Sequence, residues 1–566
     1  MLKKKTLFVL VLLLAAALAT VTAGGQSSSA APQTAASNYY NKTGYPICND
    51  TITVKLMGGG ALAGQAPWNE RIQVQEIEKR LGIKMDCTGF EQTVWNTQLN
   101  LMLASDDLPD IMVNCNVSPF DMYQFGSDGY FLPLNKYRDL MPFMEKLFKQ
   151  YPVYETSMTS QDGNIYGIMQ LNTNTVAVMP RVYINTVWLN NVGLDVPKTT
   201  DDLLTALRAF RDKDANGNGN PNDEIPMSYL FDTPGDQSQL ESSMLAAFGI
   251  SAVPGSLAYQ IYADNGKVGI AETTDNYKAF LKYMNNLYKE KLLDPEVFIQ
   301  TIDQYRAKAA ADTLGVVSNA SIYQLAGKPY TYDMNWAWFG GMTSQYNSQP
   351  QYTMRPRITP NGIAFISAKT KYPEALARLF DYFYDEDGEG TLAGRFGYEG
   401  LTFGREDLDY LPGKSVLATY KDQPGFESAE AFRIGKAVIV NAFLWLNSPK
   451  GILQGVIEDL PDSEIYNNQA LFENAGWMIL LHRGAIRPAN VKGLDAFPTL
   501  TYTASEQTER NQLFTDITMY LRTAKAQFVS GGVDVDAGWD NYIRTLNNMG
   551  LPRLLAIDQA AYSRLK

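Results

Sequence analysis

The sequence predicts an α/β protein built as two lobes, each a mixed or parallel sheet flanked by helices. Two observations carry that prediction. Between residues 51 and 114, short apolar strand patterns alternate with helical ones, which indicates a parallel sheet covered on both faces. About 540 residues follow the opening segment, too many for one small core and enough for two substantial ones.

Residues 1–23 read as a secretion signal. Lys3, Lys4 and Lys5 give the basic start, residues 7–19 are an unbroken apolar run, and Val21-Thr22-Ala23 supplies the small residues of a cleavage site. The competing reading, a membrane-spanning helix, needs a run of about 18 apolar residues or more. Residues 24–49 read as a flexible tether, because their Gly, Ser, Ala, Gln and Thr at the start cannot build a core. Thr51-Ile-Thr-Val-Lys-Leu-Met57 alternates as a strand and ends in Gly58-Gly-Gly60. A helix over 72–81, a strand over 83–87, a helix over 95–104 and a third strand at 108–114 follow. Such sheets hold ligands beyond the carboxyl ends of their strands, so loops 58–68 and 114–120 are candidate cleft walls. Residues 200–210 put Leu203, Leu207 and Phe210 on one helical face. A long amphipathic helix is expected over 509–530.

Removing Lys3–Lys5 takes the formal charge from −12 to −15. An acidic chain argues against nucleic acid and against anionic membrane surfaces as partners. Cys48, Cys87 and Cys115 form neither a disulfide framework nor a metal-ligand spacing and read as small buried residues.

The helix over 200–210 leads into Asp212-Lys-Asp-Ala-Asn-Gly-Asn-Gly-Asn-Pro-Asn-Asp-Glu-Ile-Pro226. Alternating side-chain oxygens separated by glycines describe a loop that wraps one hard cation, and calcium takes six to eight oxygens. In an EF-hand frame Asp212, Asp214 and Asn216 come first, Gly217 makes the sharp turn, Asn218 offers a carbonyl and Asp223 closes. The competing reading is a solvated Asn/Gly turn. All ligands would come from one loop, so the ion would be structural.

The loop's surroundings are more specific. Arg181-Val-Tyr-Ile-Asn185, Trp188-Leu-Asn-Asn-Val-Gly193, Pro197-Lys-Thr-Thr-Asp-Asp202, the loop, and Asp223-Glu-Ile-Pro226 occur in that order. This resembles the family 1 extracellular solute-binding proteins of sugar importers, and more narrowly their oligosaccharide- and alginate-binding lipoprotein branch. Leu103-Ala-Ser-Asp-Asp-Leu-Pro-Asp110, Asn164-Ile-Tyr-Gly167, Lys371-Tyr-Pro-Glu-Ala375 and Phe396-Gly-Tyr-Glu-Gly400 are similar to further family segments. The resemblance implies a class II periplasmic-binding-protein-like fold. Residues 50–172 and about 358–490 would form the N-terminal lobe, and 173–357 and about 491–566 the C-terminal lobe. It implies calcium ligands at Asp214, Asn216, Asn218, Asn220, Asp223 and Glu224, with one extra residue around Pro221-Asn222 leaving the closing ligand open. It also implies a monomer at the outer face of the cell membrane that delivers an oligosaccharide to ABC permease subunits. The family's lipid-bearing Cys is missing from Thr20-Val-Thr-Ala-Gly-Gly25, which leaves the mode of anchoring open.

Candidate cleft residues are Trp68, Trp95, Tyr166, Asn185, Trp336, Trp338, Arg395 and Glu399, with Trp445 and Trp477 in reserve. Trp336 and Trp338 would share a face if extended and could stack on a sugar ring; the competing reading makes both core residues. The alternative function is a secreted glycosidase or lyase working through two carboxylates. His482, the only histidine, sits in an apolar run where a structural role is expected. No Walker loop or dinucleotide fingerprint is present. The carrier reading accounts for the secretion signal, the tether, both lobes and the missing catalytic set together.

Overall fold

The computed structural model describes residues 39–61, 65–174, 179–231, 238–251, 259–398, 401–402, 432–448, 460–467, 472, 477–484, 486–487 and 490–565. The expected secretion signal and Glu399 lie outside them. Among the described residues the strands are, in order, β1 (Ile52–Gly59), β2 (Ile83–Phe90), β3 (Ile111–Val117), β4 (Leu171–Asn172), β5 (Val182–Asn185), β6 (Ile225–Met227) and β7 (Ile261–Asp264). After these come β8 (Lys267–Ile270), β9 (Leu314–Ser318), β10 (Trp336–Trp338), β11 (Gln351–Thr353), β12 (Gly362–Ile366), β13 (Leu446–Asn447) and β14 (Lys492–Leu494).

Two four-stranded sheets organise the molecule, in the orders β12-β3-β1-β2 and β10-β5-β9-β6. In the first, β1 runs parallel to both β2 and β3 while β12 is antiparallel. In the second, β6 is parallel to β9, and β5 is antiparallel to both of its neighbours. Each sheet has its own apolar core. One gathers Val54, Leu56, Ile83, Ile111, Met112, Phe365 and Phe380; the other gathers Ile184, Leu207, Phe210, Val316, Phe280 and Leu521.

The helices follow from pattern and caps. Helix Ile72–Leu81 buries Val74, Ile77 and Leu81 and stops at Gly82, whose φ of 71° suits glycine. Helix Thr200–Asp212 starts at a complete capping box between Thr199 and Asp202 and buries Leu203, Leu207 and Phe210. The long helix spans Ala504–Ser530, also begun by a capping box, at Thr503 and Glu506.

Three extended passages connect the two bodies side by side. β4 pairs in parallel with β13, and Leu171 bridges Ile358 on the other side. The amides of Thr173 and Asn174 donate to the Asn447 carbonyl, and that of Asn172 to Arg357. Two boundaries differ from the sequence reading. Ile465, Phe472 and Ile479–Leu481, which fall in the segment expected in the first lobe, pack in the second core. Residues 39–49, read as tether, are packed on the first lobe. Ile47 and Cys48 are buried, Tyr39 donates to Glu374 at 2.5 Å, and the Arg378 guanidinium donates to the carbonyls of Asn41 and Gly44.

Candidate functional site

The carboxyl ends of β1, β2 and β3 and the start of β12 converge on one edge of the first sheet, and the residues there are amides. Asn361 donates its side-chain amide to Asn116 Oδ1 at 2.7 Å. Gln92 donates to Asn96 Oδ1 at 3.3 Å and to the Asn114 carbonyl at 3.2 Å. Asn114 itself, with a φ of 52°, donates to the carbonyls of Gly59 and Val440, fastening the strand end to the chain entering the third passage. Gln92, Asn96 and Asn116 are exposed, so donors and acceptors stand toward solvent with their geometry already set. The expected cleft wall at 114–120 contains Asn114 and Asn116, whereas Gln92, Asn96 and Asn361 are not among the candidates. Its signal was the Asn114-Cys-Asn116 spacing at the end of a strand whose other positions are apolar.

Asn361 also borders a cavity of about 470 Å³ that draws on both lobes. The first lobe contributes Ser118, Phe120 and Tyr123 beside it; the second contributes Thr501, Tyr502 and Gln507. Among the described lining residues none is Asp or Glu. Arg564, the one cation among the described lining residues, is held by Glu506 at 2.6 Å and by the Thr501 carbonyl at 2.9 Å. The Tyr502 hydroxyl donates to buried Asp558 at 2.7 Å, and burial together with that carboxylate keeps its pKa well above the ordinary phenol value. The cavity thus offers hydroxyls, amides and the aromatic rings of Phe120, Tyr123 and Tyr502. That chemistry suits a polyhydroxylated ligand.

The residues proposed from sequence have other occupations in the structure. Trp338 is completely buried; its indole N–H donates to the Pro180 carbonyl at 2.7 Å, and its ring meets Tyr352 edge-on. Trp336 is 4% exposed and packs against Tyr332. The two do share a strand face, but that face is turned into the second core. Trp68 is buried against the backbone of the first sheet, where a Cβ on Gly89 would stand 2.5 Å from its ring. Trp95 is buried and stacked on Phe90, with centroids 5.8 Å apart. Tyr166 is buried with its hydroxyl donating to Asp162 at 2.7 Å, and burial, reinforced by that bond, pushes its pKa up to about 12. Asn185 is the N-cap of helix Thr186–Val192. Arg395, half-buried, donates to Asn447 Oδ1 at 3.4 Å and so touches the third passage. Trp445 is core, packed on Phe380, and the side chains of Trp477 and His482 lie outside what is described. Large aromatics drew attention because binding sites use them, but lobes of this size also need them for packing. Cys48, Cys87 and Cys115 are all free and buried, and burial raises the thiol pKa of Cys48 to about 11 and of Cys87 to about 12.

The Asp/Asn/Gly loop closes on itself. Asp214 accepts from the backbone N–H groups of Asn218 and Gly219, and Asp223 accepts from the amides of Asn216 and Asn218. Glu224 Oε1 accepts from the Ala215 N–H at 2.8 Å, whereas its Oε2 is buried with no hydrogen-bonding partner. Asp212, first in the EF-hand frame, is instead engaged by Arg211 at 2.7 Å. Three carboxylates with one orphaned buried oxygen are the donor set a hard cation wants. No group of three or more His, Cys, Asp or Glu side chains stands in metal-binding geometry among the described residues.

Two α/β lobes joined by three adjacent passages, with a shared groove, define a two-lobed ligand-binding protein. The sequence model of the bacterial extracellular solute-binding protein family matches residues 65–390, and the chain belongs to that family. It is 26% identical over 526 residues to the fructooligosaccharide ABC transporter substrate-binding protein FusA of Streptococcus pneumoniae serotype 4, covering 90% of each chain. An EF-hand mutant of S. pneumoniae FusA in complex with fructo-nystose has a TM-score of 0.68 at 23% identity, over 91% of this chain and 99% of that one. Alginate-binding protein AlgQ2, solved without calcium ion, has a TM-score of 0.64 at 22% identity, over 93% of this chain and 99% of that one.

Proposed function

We propose that this chain captures an oligosaccharide outside the cell by closing its two lobes and hands it to the permease of an ABC importer. The observation that carries the reading is the groove lined from both lobes by neutral hydroxyl and amide groups, beside the Asn116–Asn361 pair. A ligand biases closure only through contacts that differ between the open and closed forms, and a groove with one wall on each lobe provides them. FusA, named for fructooligosaccharides, supports the substrate class. One chain supplies both walls, so a monomer suffices. A structural calcium belongs to the same reading. Asp214, Asn216, Asn218, Asn220, Asp223 and Glu224 would hold it, and the unpartnered Oε2 of Glu224 and the EF-hand named for FusA support it. When bound, the ion would fix the exit of helix Thr200–Asp212.

The test is calorimetric titration of the secreted chain with kestose and, separately, with alginate oligosaccharides, followed by chromatography of the recovered sugar. Saturable binding and an intact ligand are expected. Shortened products appearing with time would replace the carrier with the carboxylate-pair enzyme.

A further inference from the structure

We infer that the second lobe carries a further carbohydrate-binding surface of its own, centred on Tyr346. A pocket of about 580 Å³ lies there. Among the described residues its lining comes from 200–346 and Asp536, with none from the first lobe or the three passages. Tyr346 is 44% exposed, yet its ring is firmly mounted. One face stacks on Phe248, with centroids 5.5 Å apart and planes 25° apart, and Phe248 packs in turn on Tyr283. The turn that bears it is tied down at both ends: Ser344 donates to the Ala247 carbonyl at 2.6 Å, and Asn347 donates to that of Ala246 at 2.9 Å. An exposed ring immobilised in this way loses little further freedom when a ligand stacks on it.

The rim matches the ring. Lys278 and Lys282 both pair with Asp536, at 3.0 and 2.8 Å, so ammonium donors and a carboxylate acceptor stand side by side. The carboxylates of Asp201 and Asp275 and the amide of Gln345 complete it. Three carboxylates against two ammonium groups leave no positive excess for an acidic glycan or an anionic lipid. Neighbouring hydroxyls of a neutral sugar, each donor and acceptor at once, fit such alternating groups, while a C–H face of the sugar covers Tyr346. The occupant is therefore a stretch of a neutral glycan chain. Because only one lobe is touched, its binding leaves the closure equilibrium unchanged. Its effect is to hold a long chain near the groove and raise the local concentration of chain ends.

Native electrophoresis through gels containing inulin or hydroxyethylcellulose reads this surface, and calorimetry with kestose reads the groove. Tyr346→Ala should weaken retardation by at least one of the two polysaccharides about fivefold, the loss of one stacking ring. Its melting temperature and kestose affinity should stay at the wild-type level. Tyr346→Phe should keep the retardation, and Lys282→Ala should lose part of it, a second variant that does not disturb the ring. Several results would overturn the inference: no retardation of the wild type by either polysaccharide, unchanged retardation of both Tyr346→Ala and Lys282→Ala, or a parallel fall in kestose affinity. So would intact retardation with a loss of permease-dependent uptake, which would make the surface a protein contact. Failure of kestose to bind any form, with polysaccharide retardation present, would strike the proposed groove and leave this surface standing.

Discussion

Trp338 and Asn361 show how differently two residue types advertise their roles. A tryptophan two places from another looks like a sugar platform in sequence, but spacing fixes only that the two share a strand face, not which way the face is turned. The turn toward the core is a tertiary fact, set by β10 lying on the edge of the second sheet with Tyr352 against it. Trp338→Ala should therefore cost about 3–5 kcal/mol of folding stability, measured by denaturant unfolding, while the folded fraction binds sugar as before. Asn361 gave no signal at all, because single amides are common in turns. Its worth comes from Asn116 arriving beside it across 245 positions of sequence. Asn361→Ala should leave the melting temperature nearly unchanged and weaken oligosaccharide binding by about 1 kcal/mol, the net value of one hydrogen bond. A normal isotherm for Asn361→Ala would move the ligand away from this edge.

Elements were more legible than sites because their causes are local. Helix Ile72–Leu81 was read to the residue, since its apolar spacing and the stop at Gly82 both lie within the segment. The expected helix over 200–210 runs on to Asp212, and the expected strand at 108–114 starts three residues later and extends to Val117; in both, pattern placed the element and packing placed its ends. The strand that returns to β3 spans only Gly362–Ile366, because residues near 358 are spent on the passage beside Leu171. The Asp/Asn/Gly loop, whose groups are all contiguous, carries its proposed calcium chemistry in one local segment. Removing calcium should lower the melting temperature, because an ion that binds only the folded state stabilises it by mass action. Asp214→Ala should make the chain insensitive to chelator, with its melting temperature already at the chelated value. A wild-type chain whose melting curve ignores excess chelator, and which carries no calcium by metal analysis, would leave the loop as a plain Asn/Gly turn.

At the scale of the molecule, the groove is shared by two bodies, each sheet with its own apolar core, although Leu392, Phe396, Phe432 and Val438 pack with the second core from before the third passage. The strands that join them are only two residues long where β4 meets β13, and each places one leucine, Leu171 and Leu446, in the first core. The relative placement of the lobes, and hence the groove, was invisible in the sequence, because residues such as Asn361 and Gln507 line one cavity although no local pattern links them. Closure follows from this arrangement. Ligand joins a first-lobe wall to a second-lobe wall, so saturation should shrink the radius of gyration measured by small-angle X-ray scattering, and at 100 times Kd should stabilise the fold by about 2.7 kcal/mol. Asn361→Ala and Gln507→Ala, one on each wall, should each weaken binding and reduce the ligand-induced compaction. The double variant separates two mechanisms. If sugar bridges the walls, removing one contact loosens the closed form that the other needs, and the two losses should depart from simple addition by about 0.5 kcal/mol or more. Additive losses with full compaction would mean that the two residues act on independent ligands, and that lobe closure is driven from elsewhere in the cleft.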